Sequence, residues 1–233
     1  MFLETRAIVL RVVPHRDHRA VLRAYTEGSG LRTYIVRTGR RSRQALFGPL
    51  ERVVLSFEER GDRDLQMLRE FRLEKPYLNM SGDMRRTAVL LFLQELLVQM
   101  VQEESSDPEL YGFLDRSLDR LDRSSDLEHF PLDFLIGISR QMGFGPEPPG
   151  PEADHFDLRE GVFLGSSAIQ HGDSVPPPLA LVLAGVLREG GTRPRLSPTE
   201  RRDLLDILLR YFGLHVPGLG ELRSPRVLHQ VLS

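Results

Sequence analysis

Residues 5–37 read TRAIVLRVVPHRDHRAVLRAYTEGSGLRTYIVR. Three runs rich in β-branched, aliphatic and aromatic residues, at 5–13, 20–26 and 31–37, are separated by the polar turns PHRDHR (14–19) and EGSG (27–30). Runs of this length between turn residues predict strands, because such side chains suit a pleated surface while Pro and Gly interrupt a helix. Further along, LERVVLSFEE (50–59) predicts a fourth strand, GDRD (61–64) a turn, and LQMLREFRLEKPY (65–77) carries a fifth. Five short strands within residues 1–79 match a small closed barrel of the OB type, with a five-stranded SH3-like barrel as its rival. Periodicity does not separate the two.

The pattern changes near residue 80. Asp83 can start a helix over 84–103. Asp107-Pro108 reads as an N-cap followed by proline in the first helical position and opens a helix over 108–123. Leu110, Leu114, Leu118 and Leu121 share one face of it. A third helix is expected over 127–142, with Phe134, Leu135 and Ile138 on its apolar side, ending at Gly143. The Pro-rich stretch FGPEPPGPEADH (144–155) breaks regularity, and FDLREGVFL (156–164) predicts a hairpin turning at Glu160-Gly161. A helix lies within 176–191. Ser197-Pro198-Thr199-Glu200 has capping-box spacing and opens a helix to about Phe212, and a short final helix begins near Ser224-Pro225. The expected architecture is α+β and multi-domain: a barrel over 1–79, a helical domain over 80–143, a loop and hairpin over 144–175, and C-terminal helices over 176–233 that pack on the helical domain.

Composition sets outer limits. The 233 residues are 40% hydrophobic and 27% charged, ordinary for a globular chain with a sizeable core. The absence of cysteine excludes disulfides, Cys-ligated zinc, iron–sulfur clusters and a Cys nucleophile. The N-terminus MFLETRAIVLRVV alternates as a strand does and has no small-residue cleavage site, so it is not read as a signal peptide. The most apolar segment, TAVLLFLQELLVQMV (87–101), contains Gln94, Glu95 and Gln99 and is too short to span a bilayer. A soluble cytoplasmic protein is expected.

Charge is distributed unevenly. Residues 1–50 contain ten arginines against Glu4, Asp17 and Glu27, an excess of +7 in a chain of formal net charge −2, which leaves −9 for the remainder. Arg37, Arg40, Arg41 and Arg43 cluster on the loop after the third predicted strand. Guanidinium groups form bidentate bonds to phosphate and stack on bases, so this end of the chain suits a polyanion. Arg11, Arg16 and Arg19, with Arg6 and Arg23, can extend the patch over the sheet. Tyr25, Tyr34 and Phe47 are candidate stacking platforms for a single strand, or else core.

Other constellations are weaker. Asp115, Asp119 and Asp122 fall on one helical face and can be read as a Mg²⁺ site, but the interleaved Arg116, Arg120 and Arg123 favour a solvated face of ion pairs. The seven histidines show no metal-ligand spacing, and no GxSxG, P-loop or GxGxxG is present. Leu90, Phe92, Leu93, Leu96 and Leu97 form a stripe that belongs either to the core or to a partner surface. No catalytic constellation emerges, no cofactor is implied, and the chain is not read as an enzyme.

In order along the chain, TRAIVLRVVP, YTEGSGLRTYIVRTGRRS, FGPLERVVL, FLQELL (92–97), LDFLIGISRQMGFGP (132–146), FDLREGVF (156–163) and GLHVPGLGELRSPRVLHQVL (213–232) resemble the RecO family of bacterial recombination mediators. The resemblance implies an OB-fold barrel, a helical domain and a zinc-finger-like region. It also implies binding of single- and double-stranded DNA, annealing of complementary strands, association with RecR and with the C-terminal tail of single-stranded-DNA-binding protein, and help for RecA in displacing that protein. A cytoplasmic, nucleoid-associated location follows from the same likeness. Many members carry four cysteines in the segment corresponding to about 144–175; none is present here, so zinc is not carried over. The hairpin is expected to stand without metal on Phe156, Leu158, Val162 and Phe163. Phosphate contact is expected from Arg37, Arg40, Arg41 and Arg43, and from Arg11, Arg16 and Arg19. Two rivals remain: an adaptor whose barrel binds protein, and a metal-dependent nuclease using Asp115, Asp119 and Asp122.

Overall fold

The computed structural model describes residues 2–37, 47–58, 65–102, 105–150, 153–168, 171–188 and 194–232. The chain divides into two compact units, Met1–Ser124 and Ser125–Ser233. The change from strand to helix falls near residue 80 as expected, while the first compact unit runs on to Ser124 and takes in the first two helices.

Five strands build the barrel of the first unit: β1 (Phe2–His15), β2 (Arg19–Thr26), β3 (Gly30–Arg37), β4 (Arg52–Glu58) and β5 (Leu65–Lys75). Strand β1 is longer than the sequence pattern suggests because two partners share it. Phe2–Ile8 pairs with β4, and Ala7–His15 pairs with β2. A register shift between Val9 and Arg11 bends the strand between these two duties. The barrel closes in the order β1-β2-β3-β5-β4, and the β3–β5 pairing is parallel, Thr33 opposite Leu65 and Ile35 opposite Met67. A run of consecutive antiparallel hairpins cannot place β3 beside β5 in parallel; a Greek-key crossing can, and that decides for the OB type.

Alternation along the strands fills the barrel. Ala7, Val9, Leu22, Ala24, Tyr34, Val36, Phe47, Val53, Leu55, Phe57 and Leu68 form one buried cluster. Tyr25, Tyr34 and Phe47 are only 2%, 1% and 8% exposed, so they are not stacking platforms. Tyr34 packs edge-on against Phe57 with centroids 5.3 Å apart, and burial pushes its phenol up to about 12.

Helix α1 (Met84–Met100) is capped by Asp83, whose carboxylate accepts the Arg85 and Arg86 backbone N–H groups. Leu90, Phe92, Leu93, Leu96 and Leu97 are all buried, so the apolar stripe is core rather than a partner surface. Gln94 donates to the Leu10 carbonyl at the bulge, 2.9 Å away, and so ties α1 to β1. Helix α2 (Pro108–Arg123) has the predicted bounds, with Asp107 as its cap.

The second unit contains α3 (Phe130–Gln141), α4 (Leu179–Leu187), α5 (Pro198–His215) and α6 (Ser224–Val231). It also holds a three-stranded sheet in the order β7-β6-β8, from β6 (His155–Asp157), β7 (Val162–Leu164) and β8 (Ser174–Val175). The capping box at Ser197 and Glu200 forms in both directions. Among the described residues no helix is long and apolar enough to cross a membrane.

Candidate nucleic-acid interface

The predicted site residues separate by what surrounds them. Residues 15–19 form the tip joining β1 to β2, with Asp17 and His18 in the left-handed region at φ 59° and 54°. Two successive positive φ values are what a tight hairpin turn needs to match the twist of its strands. The tip leaves His15, Arg16, Asp17, His18 and Arg19 exposed.

Register then fixes which side chains share a face. Ala20, Leu22 and Ala24 point into the barrel, so Arg19, Val21 and Arg23 point out. Across the strands, His15 pairs with Arg19 and Arg19 with Arg37; Val13 pairs with Val21 and Val21 with Ile35; Arg11 pairs with Arg23 and Arg23 with Thr33. The outer face of β1, β2 and β3 therefore carries a cationic row, an aliphatic row and a second cationic row. Arg11, Arg19 and Arg37 all lie on it, and Arg16 stands at the tip. Arg40, Arg41 and Arg43 lie outside the described residues.

Pairing distinguishes this face. Among the described residues no carboxylate forms an ion pair with Arg11, Arg16, Arg19, Arg23 or Arg37. Arg6, at the other side of the barrel, is taken up by Glu74 at 2.6 Å, Glu27 at 3.1 Å and Asp115 at 3.5 Å. Arg23 shares the row of Arg11 and was legible from its position four residues after Arg19, an even spacing that keeps strand residues on one face.

The acidic trio on α2 has a different role from either sequence reading. Asp119 and Asp115 grip Arg52, a guanidinium only 2% exposed, and Lys75 joins both, at 2.7 Å from Asp115 and 3.4 Å from Asp119. Arg52 lies over the Tyr77 ring, 5.1 Å from its centroid. Asp122 accepts the backbone N–H groups of Leu78 and Asn79, each at 2.9 Å. The three carboxylates thus hold α2 against β4, β5 and the chain leaving the barrel, and their oxygens already have cationic or N–H partners. They form neither a solvated ladder with Arg116, Arg120 and Arg123 nor an open metal site. Burial pushes the Asp119 carboxyl up, but the hydrogen bond and charge of Arg52, then Lys75, outweigh it and hold the group below the ordinary carboxylate range.

The cysteine-free hairpin rests on aromatic packing. Phe156 and Leu158 are fully buried; Phe156 meets Phe163 at 4.9 Å and Tyr211 of α5 at 5.7 Å between centroids. Val162 is only half-buried, and Phe144, Tyr211, Phe212 and His215 complete the cluster. Tyr211 donates its hydroxyl to the Phe144 carbonyl, and His215 Nε2 donates to the Leu158 carbonyl at 3.0 Å. Gly161 turns the hairpin at φ +72°, and a Cβ there would sit 2.5 Å from Tyr211 Oη. Asp157 accepts the N–H groups of Arg159 and Glu160, fixing the turn, and its other oxygen lies 3.2 Å from His171 Nε2. The third strand, β8, was not anticipated; two residues are too few to leave a periodic signal.

Known proteins match along the whole chain. The family model described as recombination protein O N terminal matches residues 1–77, and the one described as recombination protein O C terminal matches residues 81–225. A DNA repair protein RecO of Flavobacterium psychrophilum is 26% identical over 100% of both chains. One from Bacteroides fragilis is 30% identical over 99% of each, and one from Porphyromonas gingivalis 28% identical over 98% of each.

Proposed function

The chain belongs to the RecO family of DNA repair proteins, and from that premise we propose that its barrel binds single- and double-stranded DNA through the outer face of β1, β2 and β3. The observation that carries the proposal is the set of arginines without ion-pair partners: Arg11, Arg16, Arg19, Arg23 and Arg37 present guanidinium groups that phosphates can occupy. Arg40, Arg41 and Arg43 extend the cationic set in sequence from the end of β3. Contacts of this kind read the backbone, so affinity depends on charge and salt far more than on base sequence.

Annealing follows from the same physics. Two complementary strands repel through their phosphates; a cationic surface that screens both lets the bases meet. In this proposal the chain acts without catalysis. It works in the cytoplasm at the nucleoid with RecR, engages the tail of single-stranded-DNA-binding protein, and assists RecA on coated DNA. The family membership and the cationic face support this reading over the adaptor; the occupied carboxylates of α2 speak against the nuclease.

The test is the rate at which two labelled complementary oligonucleotides anneal. The wild-type chain should accelerate it, and Arg11→Ala/Arg19→Ala/Arg37→Ala should lose most of that acceleration at equal concentration. An unchanged rate in the triple variant would remove this face from the mechanism.

A further inference from the structure

The barrel is open at one end. Phe71 lies opposite Leu55 and Leu73 opposite Val53, two fully buried core residues, so both side chains point toward the barrel interior. They are nevertheless 39% and 51% exposed. The cause is topological: β5 pairs with β3 only over Leu65–Met67, and beyond that point, among the described residues, β4 alone pairs with it. The Phe71 ring leans on Phe47, with centroids 4.4 Å apart and planes at 51°. Because Phe47 belongs to the buried core, Phe71 is an aromatic fixed from beneath and uncovered above.

A cation stands beside it. The parallel ladder sets Ile35 level with Met67, so Arg37 comes level with residue 69, roughly 7 Å along the strand from Phe71 at about 3.3 Å per residue. Arg37 is exposed and pairs in register with Arg19. An anchored ring next to two arginines without ion-pair partners is the combination that holds single strands: stacking for the base and charge for the phosphate.

We propose that the barrel mouth at Phe71 and Leu73 is a stacking site for an unpaired base of single-stranded nucleic acid. The inference rests on the reading that the barrel binds DNA and adds a strand preference to it. A duplex keeps its bases stacked internally and cannot offer one to Phe71, whereas its phosphates can still reach the arginines. The mouth thus makes the barrel favour single strands without reading their sequence, since every base has a π-face.

The experiment uses the full chain with oligo(dT) and a duplex of equal length. Phe71→Ala should weaken oligo(dT) binding by about fivefold to a hundredfold. It should leave duplex affinity and the salt slope unchanged, because no phosphate contact is lost. Phe71→Leu keeps apolar cover over Phe47; it should match wild type in melting temperature and Phe71→Ala in binding. The chain has no tryptophan, so Phe71→Trp installs a lone reporter whose emission oligo(dT) should quench and duplex should not. Unchanged affinity in Phe71→Ala together with unquenched Trp emission, while Arg37→Ala still weakens binding, would overturn stacking, leave DNA binding by the barrel intact and open the mouth to a protein strand. If Phe71→Ala and Arg37→Ala both bind as wild type, both readings fall.

Discussion

Two sides of one small barrel use arginine in opposite ways. Where α2 packs, Arg6 and Arg52 are surrounded by Glu27, Glu74, Asp115 and Asp119, and their charge is consumed inside the protein. On the outer face of β1, β2 and β3, Arg11, Arg19, Arg23 and Arg37 have no carboxylate partner among the described residues. Composition counts all of these alike. What a guanidinium does depends on whether the fold brings a carboxylate to it, and here that divides structural arginines from those free to meet phosphate.

The sharpest way to break this contrast is at Arg52. Arg52→Met leaves Asp115 and Asp119 facing each other with Lys75 as their main cation, and loss of one partner from a buried cluster costs about 3–5 kcal/mol. Urea unfolding should register that loss, while the folded fraction should retain the wild-type salt slope on DNA. A change below about 1 kcal/mol would mean that the pairing is no stronger than an exposed one.

A control in the second unit gives a smaller effect. Gly161→Ala meets both a left-handed backbone and the Tyr211 hydroxyl, and should destabilise by about 1–3 kcal/mol. Tyr211→Phe leaves the Phe144 carbonyl short of a donor and should cost about 1 kcal/mol. Neither should alter DNA affinity in the folded protein, so stability and binding can be varied separately.

Acid provides a graded test. The folded-state pKa of Asp119 is depressed, so its contribution is present above the unfolded carboxylate value, near 4, and is lost as pH falls through the lower folded value. Unfolding free energy measured from pH 6 downward should fall in the wild type and fall less in Asp119→Asn. The smallest expected effect lies on the exposed face: Arg11→Ala/Arg19→Ala/Arg37→Ala should change stability by no more than about 0.5 kcal/mol per site, because these side chains hold nothing in place.

Much of this is legible in the sequence alone. Strand positions, the Asp107-Pro108 start of α2 and the Ser197–Glu200 capping box follow from local chemistry, and local chemistry survived folding. The OB topology was not legible, because the parallel β3–β5 pairing joins segments that carry no mark of each other. Tyr25 and Tyr34 looked usable as platforms because Tyr suits both core and surface; only closure of the barrel and the packing of α2 bury them. Asp115 and Asp119 misled for a related reason. Their helical neighbours Arg116, Arg120 and Arg123 are visible in the sequence, whereas Arg52 and Lys75 arrive from other strands. Phe71 went unnoticed because it sits in an apparently ordinary strand, and its exposure depends on where β3 and β5 part.

The central claim is that unpaired arginines on the outer face of β1, β2 and β3 hold DNA by its phosphates. The most direct measurement is the affinity for a single-stranded oligonucleotide across a salt series, wild type against Arg11→Ala/Arg19→Ala/Arg37→Ala. The log of the binding constant falls with the log of salt concentration by ~0.7 per phosphate contact, so the variant should bind more weakly with a slope flatter by about two units. Equal affinities and equal slopes would contradict the claim and move the DNA contact to another surface.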